Sequence, residues 1–281
     1  MRRESQNDRV RRVFALCLLA SAVLGGVVGL VWAEAKRSEN LYETSTPDTS
    51  FAVRALAMSE LEGGEGESGA TMRICCLTFD DGPSRNTPEI LRILADHHAK
   101  ATFFVTAQDA NRKYLPYVAD IAGAGHQIAL HSASHNYSEI YRSTSAFWLD
   151  IKELRQVLQP YADVETIHWL RFPGGSTNTV SHRYGGSEIM KTLKRQAAEK
   201  GYRYLDWNVC AEDAVGGHPS AREIYENVIG EAKGQSTCVV LMHDTKATKT
   251  TAQALPDIID WFRENGYEFC TVSQMPPENS Q

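Results

Sequence analysis

The chain has 281 residues, of which 42% are hydrophobic and 9% aromatic, enough for one large domain with a substantial buried core. Its formal net charge of -6 provides no basic surface, so nucleic acid is excluded as an expected partner. We therefore predict one domain with appendages.

The first 12 residues carry five arginines, and residues 13–33 are then uncharged and almost wholly apolar. This run is long enough to span a bilayer, and the basic residues before it favour a cytoplasmic N-terminus. We predict a single-pass membrane anchor with everything after Ala33 outside the membrane. A secretory signal peptide is the alternative, because Val31-Trp32-Ala33 is an acceptable cleavage site. Both predict an extracytoplasmic protein.

The segment after the apolar run is rich in Glu, Ser, Thr and Gly and is predicted to be a flexible stalk. The predicted organisation is a cytoplasmic basic segment at 1–12, the anchor at 13–33, the stalk at 34–70, one globular domain at 71–275 and a tail at 276–281. Five cysteines lie after the stalk, at positions 75, 76, 210, 238 and 270. A disulfide is allowed there, but spacing leaves the pairing open.

From residue 73 onward, short β-rich runs alternate with amphipathic helical stretches. Seven strands are predicted, at 73–79, 101–106, 127–131, 166–172, 202–209, 237–242 and 268–272. Helices are predicted at 88–98, 114–122, 146–158, 188–200, 221–233 and 252–264. Thr87 is expected to cap the first helix ahead of Pro88. The alternation predicts a parallel α/β sheet, either a closed or nearly closed barrel or an open doubly wound sheet.

The first predicted strand ends in Asp80-Asp81, before Gly82-Pro83. Adjacent carboxylates repel each other, so a site that keeps both usually gives one to a cation and leaves the other for proton transfer. A simple turn is the alternative, since Asp-Asp-Gly-Pro is good turn chemistry.

The third predicted strand ends in His131, with His135 four residues later. If the segment turns helically after the strand, both rings project from one face and can bind one ion. Two imidazoles and one carboxylate make a three-ligand site of the kind that suits catalytic zinc. His97 and His98 sit at a helix end and are interpreted as surface residues.

Two further strand ends carry Arg171 and His243. The Arg171 guanidinium is predicted to pair with whichever aspartate stays off the metal. His243 follows a very apolar run and is interpreted as a general acid, with a satisfied core histidine as the alternative. In a barrel all these strand ends emerge on one face, where catalytic loops collect.

With these motifs the chain resembles the polysaccharide deacetylases that share the NodB homology domain (carbohydrate esterase family four), over about residues 72–275. The run 78–82 (Thr-Phe-Asp-Asp-Gly) resembles their first motif, 131–135 (His-Ser-Ala-Ser-His) their second, Arg171-x-Pro173-x-Gly175 their third and 241–243 (Leu-Met-His) their fifth. The resemblance implies a distorted (β/α)7 barrel.

The resemblance also implies the chemistry of the site. Asp81, His131 and His135 are expected to hold one divalent ion, with zinc the first choice and cobalt or another divalent ion the alternatives. Asp80 is implied as the base and His243 as the acid. A backbone N–H near Gly174 is expected to stabilise the oxyanion, and Leu241 and Trp207 are assigned to the substrate side.

The fourth motif departs from the family pattern Trp-x-x-Asp-x-x-Asp-Trp. With Trp207 on the first tryptophan, Cys210 stands at the first aspartate, Asp213 at the second and Ala214 at the last tryptophan. The aspartate that tunes the catalytic histidine is therefore expected to be missing. Asp206 or Asp213 as a substitute, or an acid that titrates lower, are the alternatives.

The implied reaction is hydrolysis of N-acetyl groups from a polysaccharide. A domain tethered outside the cell on a stalk reaches the cell wall most naturally, so peptidoglycan N-acetylglucosamine is the predicted substrate. Chitin oligosaccharides, another N-acetylated polymer such as poly-N-acetylglucosamine, and O-acetylated xylan remain open. A catalytically silent glycan-binding module is a hypothesis from another class, against which the complete residue set argues. A phosphate-ester metalloprotein is disfavoured because no second set of metal ligands is found.

Overall fold

The computed structural model describes residues 72–216 and 218–276. Its strands are β1 (Arg73–Asp80), β2 (Ala101–Thr106), β3 (Gln127–Ser132), β4 (Trp169–Leu170), β5 (Arg203–Tyr204), β6 (Val209–Cys210), β7 (Thr237–His243) and β8 (Tyr267–Phe269). Its α-helices are α1 (Thr87–Asp96), α2 (Tyr117–Gly123), α3 (Tyr137–Ile140), α4 (Thr144–Leu158), α5 (His182–Gly185), α6 (Ile189–Glu199), α7 (Ala221–Ala232) and α8 (Lys249–Glu264). The predicted alternation of strand and helix is confirmed.

The strands form one parallel sheet in the order β5-β4-β3-β2-β1-β7-β6, and β8 pairs with the first residues of β1. The two edge strands, β5 and β6, are separated in the chain only by residues 205–208. A connection of that length spans at most about 18 Å, so the two edges lie close together. Because its two edges approach each other, the sheet is curved into a half-barrel and is not an open doubly wound sheet.

Three predicted strands differ from the observed ones. The candidate at 202–209 is split into β5 and β6, because residues 205–208 cross between the two edges of the sheet. The candidate at 166–172 is reduced to β4, and its first residue belongs to a 3-10 turn at Val164–Thr166. The candidate at 268–272 becomes β8 and another 3-10 turn at Val272–Gln274.

The two faces of the sheet bury different sets of side chains. On β1, Leu77 and Phe79 belong to the large core beneath the helices, whereas Ile74 and Cys76 belong to a smaller cluster on the inner face. Successive strand residues alternate between faces, so Asp80 points to the inner side with Ile74 and Cys76. The inner cluster contains Ile74, Cys76, Phe104, Ala129, Trp169, Leu205, Val239, Cys270, Val272 and Met275.

The predicted cap of α1 is wrong. Asn86 is the N-cap residue and makes no side-chain capping bond, while Thr87 is already helical, followed by Pro88. The Thr87 hydroxyl donates instead to Asp244, the residue after β7. The start of α1 is thus fastened to the end of a central strand.

No helix within residues 72–216 and 218–276 is long and apolar enough to cross a bilayer. The predicted anchor at 13–33 and the predicted stalk at 34–70 lie outside the described residues, and both stay predictions.

Candidate active site

Polar side chains from four strands meet at the carboxyl edge of the inner face. In the pairing of β1 with β7, Asp80 lies opposite His243. β3 and β4 pair one residue before their polar ends, so His131 and Arg171 are neighbours as well. The prediction that these strand ends share one face is confirmed.

Asp81, His131 and His135 are the one group of His, Cys, Asp or Glu side chains in the described part that could hold an ion, with ligand atoms within 4.8 Å of one another. Oδ1 of Asp81 lies 3.8 Å from Nε2 of His131 and 3.4 Å from Nε2 of His135. That oxygen is buried and has no hydrogen-bond partner among the described residues. A buried, unpaired carboxylate oxygen is costly, so this cluster fits a cation.

The protonation states of the cluster agree with that fit. Burial lowers the pKa of His131 and of His135, so both imidazoles are neutral at pH 7 and keep a lone pair. Nδ1 of His131 lies 2.8 Å from the carbonyl oxygen of Arg171 and donates to it, which leaves Nε2 as the acceptor facing Asp81. Burial raises the pKa of Asp81, and the charges of Asp80 and Asp213 act in the same direction.

A left-handed turn, and not a helix, brings His135 beside His131. The backbone of His135 has a φ of 51°, and its N–H donates to the hydroxyl of Ser132 at 2.8 Å. The helix α3 begins only at Tyr137, so the predicted helical turn is wrong. The two rings still converge, with centroids 5.0 Å apart.

Asp150 in α4 holds this turn, and the sequence analysis missed it. Its buried carboxylate accepts the Ser132 hydroxyl at 2.7 Å and the N–H groups of Ala133 and Ser134 at 2.8 and 2.9 Å. A signal was available, since Asp150 stands three residues after Phe147 on the buried face of the helix. A carboxylate at such a position requires partners.

Arg171 is wholly buried and pairs with the aspartate outside the cation cluster, as predicted. Its Nη1 lies 2.7 Å from Oδ1 of Asp80 and also donates to the Thr78 hydroxyl. Nε and Nη2 donate to the carbonyl oxygens of Leu205 and Asp206. These bonds fix the orientation of the Asp80 carboxylate.

His243 has an aspartate partner after all. Its Nδ1 lies 2.8 Å from Oδ1 of Asp213, whose Oδ2 accepts the His243 N–H and the Thr251 hydroxyl. Asp206 instead accepts two bonds from Ser176. Burial works to lower the His243 pKa, but the hydrogen bond and charge of Asp213 outweigh it and raise that pKa to about 9. Of the alternatives for the aspartate missing at position 210, Asp213 as its substitute is confirmed, whereas Asp206 and an acid that titrates lower are wrong.

The predicted substrate-side residues border the same region. Leu241 is 5% exposed and stands two residues before His243 on the inner face of β7. Gly174 follows Arg171 and has a left-handed φ of 79°. The Trp207 ring centre lies 5.6 Å from the Arg171 guanidinium carbon. Contact of these residues with a substrate stays a prediction.

The cysteines and the second histidine pair lie outside this cluster. The five cysteines of the described part are free thiols, and the sulfur atoms of Cys76 and Cys270 are 3.3 Å apart. His97 is partly exposed and pairs with Asp260 at 3.1 Å at the end of α1, and His98 is exposed, so their interpretation as surface residues is confirmed.

Candidate proton donors and acceptors converge with cation ligands at the carboxyl edge of parallel strands, and this arrangement places the protein in the class of α/β enzymes. The family profile for polysaccharide deacetylase matches residues 68–205. A peptidoglycan-N-acetylglucosamine deacetylase of Bacillus cereus is 30% identical over 206 residues, covering 72% of this chain and 88% of that protein. The chain therefore belongs to the polysaccharide deacetylase family.

Two further relatives agree with this assignment. Another Bacillus cereus peptidoglycan-N-acetylglucosamine deacetylase is 28% identical over 239 residues, covering 83% of this chain and 79% of that protein. The crystal structure of the catalytic domain of peptidoglycan N-acetylglucosamine deacetylase from Eubacterium rectale is similar with a TM-score of 0.68 and 37% identity. That match covers 73% of this chain and 90% of the solved chain.

Proposed function

We propose that this protein is a metal-dependent hydrolase that removes N-acetyl groups from N-acetylglucosamine units of peptidoglycan. The observation that carries the proposal is the convergence of the Asp80–Arg171 pair and the Asp213–His243 pair on one edge of the sheet, beside the cation cluster at Asp81. The substrate class is taken from the names of the two Bacillus cereus relatives and of the Eubacterium rectale structure.

Asp81, His131 and His135 are the proposed ligands of one divalent cation, which would polarise the acyl carbonyl and make a water molecule more acidic. Two neutral imidazoles and one carboxylate are ligands that suit zinc. Cobalt or another divalent ion is an alternative for the same donor set.

Asp80 is the proposed general base. Arg171 binds one of its carboxylate oxygens, while the other lies 3.7 Å from Nε2 of His131 and faces the cation cluster. That oxygen accepts a proton from the water that attacks the acetyl carbon. Because the guanidinium holds the carboxylate in one orientation, the base needs little reorganisation during the reaction.

His243 is the proposed general acid. Asp213 accepts from Nδ1, so the Nε2 proton remains for the leaving amine. His243 gives this proton to the nitrogen of the leaving amine as the C–N bond breaks, and acetate and a glucosamine unit are released. The backbone N–H of Gly174 is the proposed donor to the oxyanion, and Leu241 and Trp207 are proposed to contact the acetyl group and the sugar.

Acetate release by the purified protein tests the function directly. We expect release from isolated peptidoglycan in the presence of zinc or cobalt, and its loss after chelation with recovery when metal is restored. Stronger release from chitin oligosaccharides or an acetylated xylan would change the substrate class. Absence of release from all of these, with one metal bound per chain, would favour a silent glycan-binding module.

The Asp213→Asn substitution is expected to move the alkaline limit of activity to lower pH. His243 with a pKa of about 9 stays protonated up to that pH and loses its acid function above it. Without the Asp213 charge, burial is opposed only by the charges of Asp80 and Asp81, so the His243 pKa falls towards its ordinary 6.5. Activity at pH 8.5 then drops roughly 50- to 100-fold, because an imidazole with that pKa is about 1% protonated there.

Activity profiles of the wild type and the variant between pH 5 and about 10 measure this shift. A profile of unchanged shape in Asp213→Asn would contradict the assignment of His243 as the acid.

On a larger scale, we propose a distorted (β/α)7 barrel in which β5 and β6 count as one strand interrupted at residues 205–208. Residues 13–33 are proposed to anchor the protein in the cell membrane, with 1–12 in the cytoplasm and 34–70 as a stalk. The catalytic domain at 71–275 then faces the cell wall. Cleavage after Ala33 would yield a secreted protein instead, and the intact mass of the purified native protein separates the two forms.

A further inference from the structure

Tyr137 lies between the loop that contains His135 and the loop that contains Gly174. It is the first residue of α3, and its side chain is half-buried. Its ring meets the His135 ring edge-on, with centroids 5.5 Å apart and an angle of 86° between the planes. The phenol therefore borders directly on a proposed cation ligand.

The hydroxyl of Tyr137 reaches the backbone at Gly174. A Cβ atom added to Gly174 would lie 2.9 Å from the Tyr137 hydroxyl oxygen and 3.2 Å from its Cε1. Position 174 thus needs glycine for two reasons, its left-handed φ of 79° and the phenol that fills the space of a side chain. The hydroxyl is held beside the residue whose N–H is the proposed oxyanion donor.

This hydroxyl has no hydrogen-bond partner among the described residues. The nearby Tyr141 differs, because its hydroxyl donates to the carbonyl oxygen of Pro173 at 2.8 Å. A phenol is protonated at neutral pH, so this hydroxyl is available as a donor.

We propose that the Tyr137 hydroxyl donates a hydrogen bond to the acyl oxygen of the substrate, as a second donor beside the N–H of Gly174. This inference rests on the proposed deacetylase function. Negative charge develops on the acyl oxygen when water attacks, so a donor already in place stabilises the transition state more than the bound substrate. No proton is transferred, and Tyr137 remains neutral throughout.

The Tyr137→Phe substitution removes the hydroxyl and keeps the ring against His135. We expect kcat for acetate release to fall about 10- to 100-fold while KM changes less than about threefold, as for loss of an interaction made mainly in the transition state. Metal affinity, measured by competition with a chelator, and the melting temperature stay at wild-type values. Tyr161→Phe is the matched control, since it removes a phenol just after α4, outside the site, and keeps wild-type kcat.

An unchanged kcat in Tyr137→Phe overturns the inference. A fall in kcat that disappears at saturating metal overturns it too, because Tyr137 would then act only by supporting His135. If wild-type protein and Tyr161→Phe release no acetate from any acetylated polymer, the proposed function fails instead, and the comparison identifies that case.

Discussion

Asp80→Asn is expected to lower kcat for deacetylation by about 10² to 10⁴, the range that a general base contributes. The amide cannot accept the proton of the attacking water at the pH of the reaction. Its oxygen can still accept from Nη1 of Arg171, which lies 2.7 Å from Oδ1 of Asp80 in the wild type. The buried guanidinium therefore keeps its partner, and the variant is expected to fold.

The neighbouring Asp81→Asn variant serves as the matched control for Asp80→Asn. Asp80→Asn should bind metal as the wild type does, whereas Asp81→Asn should bind it more weakly, since only Asp81 belongs to the cation cluster. Metal content after dialysis and acetate release, measured on the same samples, separate the two losses. Near-wild-type turnover in metal-loaded Asp80→Asn would refute its assignment as the base.

His131→Ala is expected to abolish metal binding at micromolar metal and, with it, acetate release. Substitution of a residue that only hydrogen-bonds to a metal ligand lowers metal affinity about 10- to 100-fold. Loss of a ligand atom itself should lower the affinity further. His131 is 3% exposed and its Nδ1 is bound to the carbonyl oxygen of Arg171, so its ring is held in one orientation with Nε2 facing Asp81. Isothermal titration with zinc measures the loss.

His97→Ala is the control for His131→Ala, because His97 contacts Asp260 near the surface and lies outside the cation cluster. It should retain wild-type metal affinity and activity. Metal binding by His131→Ala at wild-type affinity would show that the ion is held elsewhere, and the proposed ligand set would then be wrong.

The sequence alone predicted the frame of the protein and the strand ends of the site. Periodicity and alternation identified the parallel α/β sheet, because each buried strand is apolar and each helix has an apolar face. The carboxyl ends of parallel strands share an edge, so Asp80, His131, Arg171 and His243 were expected on one side of the sheet. Arg171 was also predicted to pair with whichever aspartate stays off the metal, and the structure shows that this aspartate is Asp80.

Tertiary structure alone decided how the loops complete that site. Asp213 is 30 residues from His243 in the chain and meets it only because β6 packs beside β7. Asp150 is fastened to the turn at His135 by bonds between separate elements. Tyr137 lies beside Gly174 only because two loops approach each other.

The physical reason is the range of the interactions. Hydrophobic period and turn chemistry act within a few residues and can be read along the chain, so they predict elements and their ends. The partners of a buried carboxylate or imidazole are chosen by which elements pack together, and that choice depends on the whole core. For this protein the sequence determined which residues form the strand ends, and the fold determined the partners that fix their orientation and protonation.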